Sequence, residues 1–274
     1  MRNTILTDPT LLAVLNNPMM PKFLATRQAD GVPNVVPVTS LSPAPDAPDT
    51  LIFGNFLLWK SIRNLEQDQR VGVCVMSTSL ERWVFKGDFL EFQRAGAYVD
   101  RLNSSDLLRY NAYTGIRNAG VVRVRQAVCH FALSKLRVAS DFLLAKWASR
   151  RPQPIQPTAT TVPAPTRHLF AQMQAVKVLA YLDSDGYPVI LPVLSLQPAD
   201  VHTLVCAPGL VAEALAGLPS GARVAANVLS LDAISYQVKG TWLGMARSLG
   251  APLGLLSVEE VYAGGPPIPG KRVA

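Results

Sequence analysis

The strongest constraint on this chain is that it repeats itself. Asp30-Gly31-Val32-Pro33, followed by Val36-Pro37-Val38-Thr39-Ser40-Leu41, recurs as Asp185-Gly186-Tyr187-Pro188 followed by Leu191-Pro192-Val193-Leu194-Ser195-Leu196, in the same order and at the same spacing. The next turn differs in length by two residues. Beyond it, Thr50-Leu51-Ile52 aligns with Thr203-Leu204-Val205, Arg70-Val71 with Arg223-Val224, and Lys86-Gly87 with Lys239-Gly240, without a gap. Each copy reads as an apolar segment, an Asp-Gly turn, a second apolar segment, a Pro-containing loop and a third strand, then a short helix and further strands. The expectation is a mainly β fold: two small, mostly antiparallel barrels in tandem, decorated by helices.

Between the copies, Arg150-Arg151-Pro152-Gln153-Pro154 through Pro163-Ala164-Pro165 has no hydrophobic period and reads as a linker. The expected domains are residues 1–150, a Pro-rich linker over 151–166, and a second, degenerate barrel over 167–274. Asp8-Pro9 offers a cap and a first-turn proline for a helix reaching about Asn16. Residues 104–111 read as a helix between later strands, and residues 142–147 as the helix closing the first half.

Several function classes fall away. Apolar runs are broken well before the roughly 20 residues that span a bilayer, the longest, 201–218, by Pro208 and Glu213. Residues 1–10 lack the apolar core of a secretory signal, so a cytoplasmic protein is expected. Cys74, Cys129 and Cys206 are odd in number and lie in strand-like apolar runs, as buried free thiols do. His130, His168 and His202 lack metal-ligand spacing, so no metal is expected. The net charge of +7 suits an anionic ligand, but the basic residues are scattered, and those over 117–125 alternate with Val as in a strand. Nucleic acid is not an expected partner. No Walker or dinucleotide-type loop and no nucleophile elbow occurs.

The informative segment is Phe53-Gly54-Asn55-Phe56-Leu57-Leu58-Trp59-Lys60-Ser61-Ile62-Arg63-Asn64-Leu65, which leaves a strand and enters a helix with Ile62 and Leu65 inward. Lys60 and Ser61 fall in the first turn. There, unpaired backbone N–H groups, an ammonium and a hydroxyl together suit a phosphate dianion. Lys-Ser at a helix start is also common as an exposed charge beside a cap. The second copy discriminates: it carries Glu213 opposite Lys60, Ala214 opposite Ser61 and Pro208 opposite Asn55. Such a copy would repel phosphate.

With those residues in view, 50–73 and 80–84 resemble the pyridoxamine 5'-phosphate oxidase family and the small FMN-binding proteins of the same split-barrel fold. The matching run is Gly54-Asn55, Trp59-Lys60, Asn64-Leu65 and Arg70-Val71. The resemblance implies a split barrel in which Lys60 and Ser61, with Asn55 and Trp59 beside them, hold the phosphate of FMN. It further implies that Val38, Thr39 and Ser40 line the ring edge. Leu80-Glu81-Arg82-Trp83-Val84 resembles the stretch whose glutamine touches the flavin, with Trp83 at that place, as a stacking residue or, alternatively, as core.

The resemblance implies a flavin-dependent oxidoreductase acting on a small molecule. Alternatives are a flavin-binding electron carrier without its own substrate, a haem or deazaflavin relative with His130 as the one conceivable haem ligand, and a barrel used only for binding. No catalytic residue is assigned. FMN brings its own redox chemistry, so the chain need supply only placement and hydrogen bonds. The two copies are expected to pack as an internal pseudo-dimer with one competent site; a homodimer of tandem chains is the other arrangement.

Overall fold

A computed structural model of the chain describes residues 5–56, 58–104, 116–149, 160–248, 251–265 and 268–274. Helix α1 (Pro9–Asn16) begins at Asp8, whose carboxylate accepts the Thr10 N–H at 2.8 Å. The first sheet contains β1 (Lys22–Arg27), β2 (Pro33–Pro37), β3 (Ser42–Pro43), β4 (Thr50–Gly54), β5 (Arg70–Met76), β6 (Glu81–Gln93) and β7 (Ala119–Ala132). Helix α2 (Trp59–Gln67) joins β4 to β5, α3 (Ala97–Asn103) follows β6, and α4 (Lys135–Ala148) follows β7. Helix α5 (Ala164–Phe170) opens the second half, which contains β8 (Val176–Leu182), β9 (Pro188–Pro192), β10 (Gln197–Pro198) and β11 (Thr203–Cys206). A 3-10 turn (Gly209–Val211) and α6 (Ala212–Gly217) lead to β12 (Arg223–Leu229), β13 (Ser235–Ser248) and β14 (Ala251–Ala263).

The duplication is explicit in the pairing. The first sheet runs β2-β1-β5-β6-β7-β4-β3, and the second, read from its far edge, runs β9-β8-β12-β13-β14-β11-β10. Every pair is antiparallel, and the long strands β6, β7, β13 and β14 are interrupted by register shifts that bend a sheet. Each half is a split barrel, as the sequence leads one to expect. Equivalent turns are built alike: Gly31 and Gly186 both take positive φ, at 80° and 78°, in the Asp-Gly hairpins. Lys22 and Lys177 are likewise buried equivalents. The first donates to the carbonyls of Leu15 and Leu41, the second to those of Gln172 and Leu194.

Some expected boundaries move. Ala164 and Pro165 belong to the first turn of α5, where proline's missing N–H costs nothing, so the helical second half begins inside the segment read as linker. The residues 150–159 of that linker lie outside the described residues. The expected helix over 104–111 also falls outside them beyond Ser104; the helix described is α3, which buries Val99 and Leu102.

One apolar core crosses the junction between the halves. Phe23, Ala25, Val35, Cys74 and Val84 pack with second-half residues such as Leu179, Ile190 and Ala226, and these shared contacts help to hold the halves together. The backbones approach closely: a Cβ on Gly72 of β5 would lie 2.3 Å from the Pro188 carbonyl oxygen of β9. Each half's Asp-Gly hairpin is also met by a lysine from the other. Lys86 reaches Asp183 at 2.6 Å and Asp185 at 2.7 Å, while Lys239 donates to Gln28 Oε1.

Candidate functional site

Helix α2 starts without a side-chain cap at Leu58, which leaves its first N–H groups available. Lys60 and Ser61 lie in that first turn, as expected. The helix buries Ser61, Asn64 and Leu65. Asn64 Nδ2 donates to Thr26 Oγ1 at 2.9 Å, which pins the helix to β1. Asn34 Nδ2 donates to Ser61 Oγ at 3.2 Å, and Asn34 Oδ1 is buried with no protein partner.

This helix start opens into a cleft of about 200 Å³ between the halves. Of the residues singled out in the sequence, Val38, Thr39, Ser40, Trp59, Lys60 and Ser61 line it. Ser40 Oγ accepts the Gly54 N–H at 3.0 Å and so fixes the loop after β2 against the end of β4. Asn55 is not part of the wall; its N–H is bonded to the Asn118 carbonyl at 2.9 Å. Trp83 is not in the cleft either. It is 3% exposed in the first half's own core, donates from Nε1 to Asp8 Oδ2 at 3.1 Å, and stacks on His130 at 4.9 Å. The reason is strand alternation: on β6, Trp83 and Phe85 point to one face and Arg82 and Val84 to the other. His130 lies outside the cleft wall as well, bonded through Nε2 to Glu81 at 2.8 Å.

The opposite wall comes from the second half. Asn227 and Gln237, both buried, donate to the Val35 carbonyl. Tyr262, Gly264 and Gly265 complete it. The Lys60 ammonium sits 2.9 Å from the centroid of the Tyr262 ring, whose hydroxyl donates to Glu260 at 2.7 Å. Burial brings Lys60 down to about 8, with Glu260 opposing and Arg272 adding to the shift. Burial likewise brings Lys239 down to about 7, helped by the Lys60 charge. Burial, then the bond to Glu260, pushes the Tyr262 phenol up. Lys60 is the one charged side chain among the described lining residues, and the ammonium form of that lysine suits an anionic guest.

No family profile matches the chain, and no curated protein matches it. Solved structures do resemble parts of it. HupZ of Group A Streptococcus is 21% identical, covering 47% of this chain and 94% of its own, with a TM-score of 0.37. An FMN-binding protein of Syntrophomonas wolfei is 17% identical over 47% of this chain and 90% of its own, TM-score 0.37. HutZ, the haem storage protein of Vibrio cholerae, is 12% identical over 45% and 93%, TM-score 0.33. By the repeated strand order, this chain is two split barrels in tandem.

The tandem split barrel contains a pseudo-equivalent of the cleft, and it is largely filled. Residues 192–195 and 207–211 stand where 37–40 and 54–58 stand in the first half, yet the space they leave is about 20 Å³. Ser195 repeats the role of Ser40, tying its loop to the next strand through Ala207. Helix α4 of the first half covers this side: the Asp141 carboxylate lies against Gly209, where a Cβ would meet Oδ2 at 2.4 Å. Burial holds that carboxyl above its ordinary range, and Arg137 partly offsets this. In the first turn of α6 stands Glu213, aligned with Lys60.

Proposed function

We propose that the chain binds one FMN in the cleft between its halves, with the phosphate on Lys60, Ser61 and the free N–H groups of α2. The observation that carries this reading is the uncapped first turn of α2, which opens with an ammonium and a hydroxyl into the cleft. The residues fit such a group in a second respect. Asn34 Oδ1, a buried acceptor without a partner, fits a ligand that brings hydrogen-bond donors, as a ribityl chain or a flavin ring edge does. Val38, Thr39 and Ser40 would border the ring, with Trp59, 63% exposed, at the mouth. Asn227, Gln237 and Tyr262 would supply the far wall from the second barrel.

Bound FMN supplies hydride and electron transfer; the chain supplies placement, hydrogen bonds and exclusion of water. Among the described lining residues there is no carboxylate, histidine or cysteine. That favours either an oxidoreductase whose chemistry resides in the cofactor or an electron carrier without acid–base steps of its own. The domain division carried by this reading is a first barrel over 1–150 and a second from α5 onward. No described helix is long and apolar enough to cross a membrane.

The test is titration of the purified chain with FMN and with riboflavin, followed by flavin fluorescence. One FMN per chain, with FMN preferred over riboflavin, is expected. Two sites per chain, or equal affinity for both flavins, would refute the assignment. Reduction of the bound flavin by a nicotinamide cofactor separates the oxidoreductase from the carrier.

A further inference from the structure

Helix α4 is apolar on two sides, and only one of them is covered. Its inner face, Phe142, Ala145 and Ala148, is buried, and Gln197 of the second half donates to the Phe142 carbonyl at 2.9 Å. On the outer face Leu136 is 84% exposed, Leu143 61% and Trp147 51%. At roughly 100° per residue these three fall in one stripe along the helix. Ser140, the fourth residue of that stripe, turns its hydroxyl onto the Arg137 carbonyl at 2.8 Å and so presents little polarity of its own. Single exposed apolar side chains need no explanation, but an aligned row on a helix marks a surface that meets another apolar phase.

Charge identifies that phase. Lys and Arg are scattered along the chain, but their excess over acids is not: residues 117–151 hold eight of them and one acid, Asp141, a net of +7 that equals the net charge of the whole chain. Arg125 and Arg137 in this stretch are engaged with Asp88 and Asp141, whereas Lys135 and Lys146 form no ion pair among the described residues. The helical period sets Lys135 and Lys146 along one border of the apolar stripe and Arg137 along the other, where their long stems can lie beside Leu and Trp with the charge held outward. Beside Lys146 a shallow open basin of about 540 Å³ extends toward α5, where Arg167 joins it and no described lining residue carries a carboxylate. A second copy of this chain would set the same cations against these, so like charges oppose self-association through this face. At least half exposed, the three apolar side chains form a ridge and not a groove, a shape that sinks into a fluid interface and gives a partner helix little to seat in. We propose that α4 lies flat on a bilayer bearing anionic phospholipids, with Leu136, Leu143 and Trp147 at the boundary of headgroups and acyl chains and Lys135, Lys146 and Arg167 on headgroup phosphates. At 14 residues the helix is too short to span, which takes roughly 20, so it rests on the surface. This inference does not rest on the flavin.

Flotation of the full chain with vesicles tests it. The chain should float with vesicles of equal parts phosphatidylglycerol and phosphatidylcholine, stay behind with phosphatidylcholine alone, and be released by raised salt. Binding should shift tryptophan emission to the blue; Trp147→Phe should lose that shift and still float. Leu136→Ser with Leu143→Ser should abolish flotation, and Lys135→Gln with Lys146→Gln should weaken it roughly 10- to 30-fold. All these positions are exposed, so the variants should keep the wild-type melting temperature. Failure to float with the anionic vesicles, equal flotation with phosphatidylcholine alone, or flotation indifferent to the paired leucine change overturns the proposal. So does a stable dimer in sedimentation that the leucine change dissolves, or binding of an acidic amphipathic peptide in place of the vesicles, either of which assigns the ridge to a protein.

Discussion

Lys60→Glu writes the second barrel's residue into the first, and its effect can be worked from the site. A charge-assisted hydrogen bond to phosphate contributes about 1.5–3 kcal/mol. To make it, Lys60 gives up its place on the Tyr262 ring, which at a half-buried position costs about 0.5–1 kcal/mol. The neutral Lys60→Met should therefore weaken FMN by about 1–2 kcal/mol, roughly 5- to 30-fold in Kd. Reversing the charge adds about 1 kcal/mol of solvent-screened repulsion, so Lys60→Glu should lose roughly 30- to 160-fold. Riboflavin, which lacks the phosphate, should bind both variants within about twofold of wild type, a difference of less than 0.5 kcal/mol. Fluorescence titration of the two flavins against the three proteins gives the comparison. Equal losses for FMN and riboflavin, or no loss for FMN, would refute the placement of the phosphate.

The same lysine gives a pH signature: only the ammonium attracts phosphate, so FMN affinity should decline as pH rises above about 8, and Lys60→Met should abolish that slope. Stability should move the other way. Lys239 and Lys177 are brought down to about 7 by burial, so between pH 7 and 10 the unfolded chain binds more protons than the folded one, and the melting temperature should rise across that window. Lys239→Met should flatten part of that rise in a pH series of thermal melts. Gly72→Ala places a methyl on the Pro188 carbonyl and should cost about 1–3 kcal/mol in urea unfolding; an unchanged midpoint would mean that the halves do not meet there.

The duplication made the fold legible, because two copies of one strand order constrain each other. Lys60 and Ser61 were legible for a local reason: a helix start is a short-range pattern. The second wall of the cleft was hidden by sequence distance, since Asn227, Gln237 and Tyr262 lie far along the chain from Lys60. A signal for two of them was nevertheless present. Asn227 and Gln237 align with Cys74 and Val84, so the second copy carries amides at inward strand positions where the first carries apolar groups. Trp83 stayed open between stacking and core because an aromatic beside a family-like motif says nothing about which face of β6 it occupies. Helix α3 was missed because its two buried residues, Val99 and Leu102, give too short a period to stand out.

The clasp of each hairpin by the opposite barrel's lysine has an evolutionary corollary. In a symmetric dimer of identical barrels, any substitution enters both interface clefts at once, so neither can change alone. Covalent fusion removes that obligation. Lys86 kept two carboxylate partners while Lys239 settled for an amide, and the space beside Lys239's half of the junction stayed open while its counterpart filled with Arg82 and α4. One gene copy could thus specialise in holding a guest while the other turned into its wall.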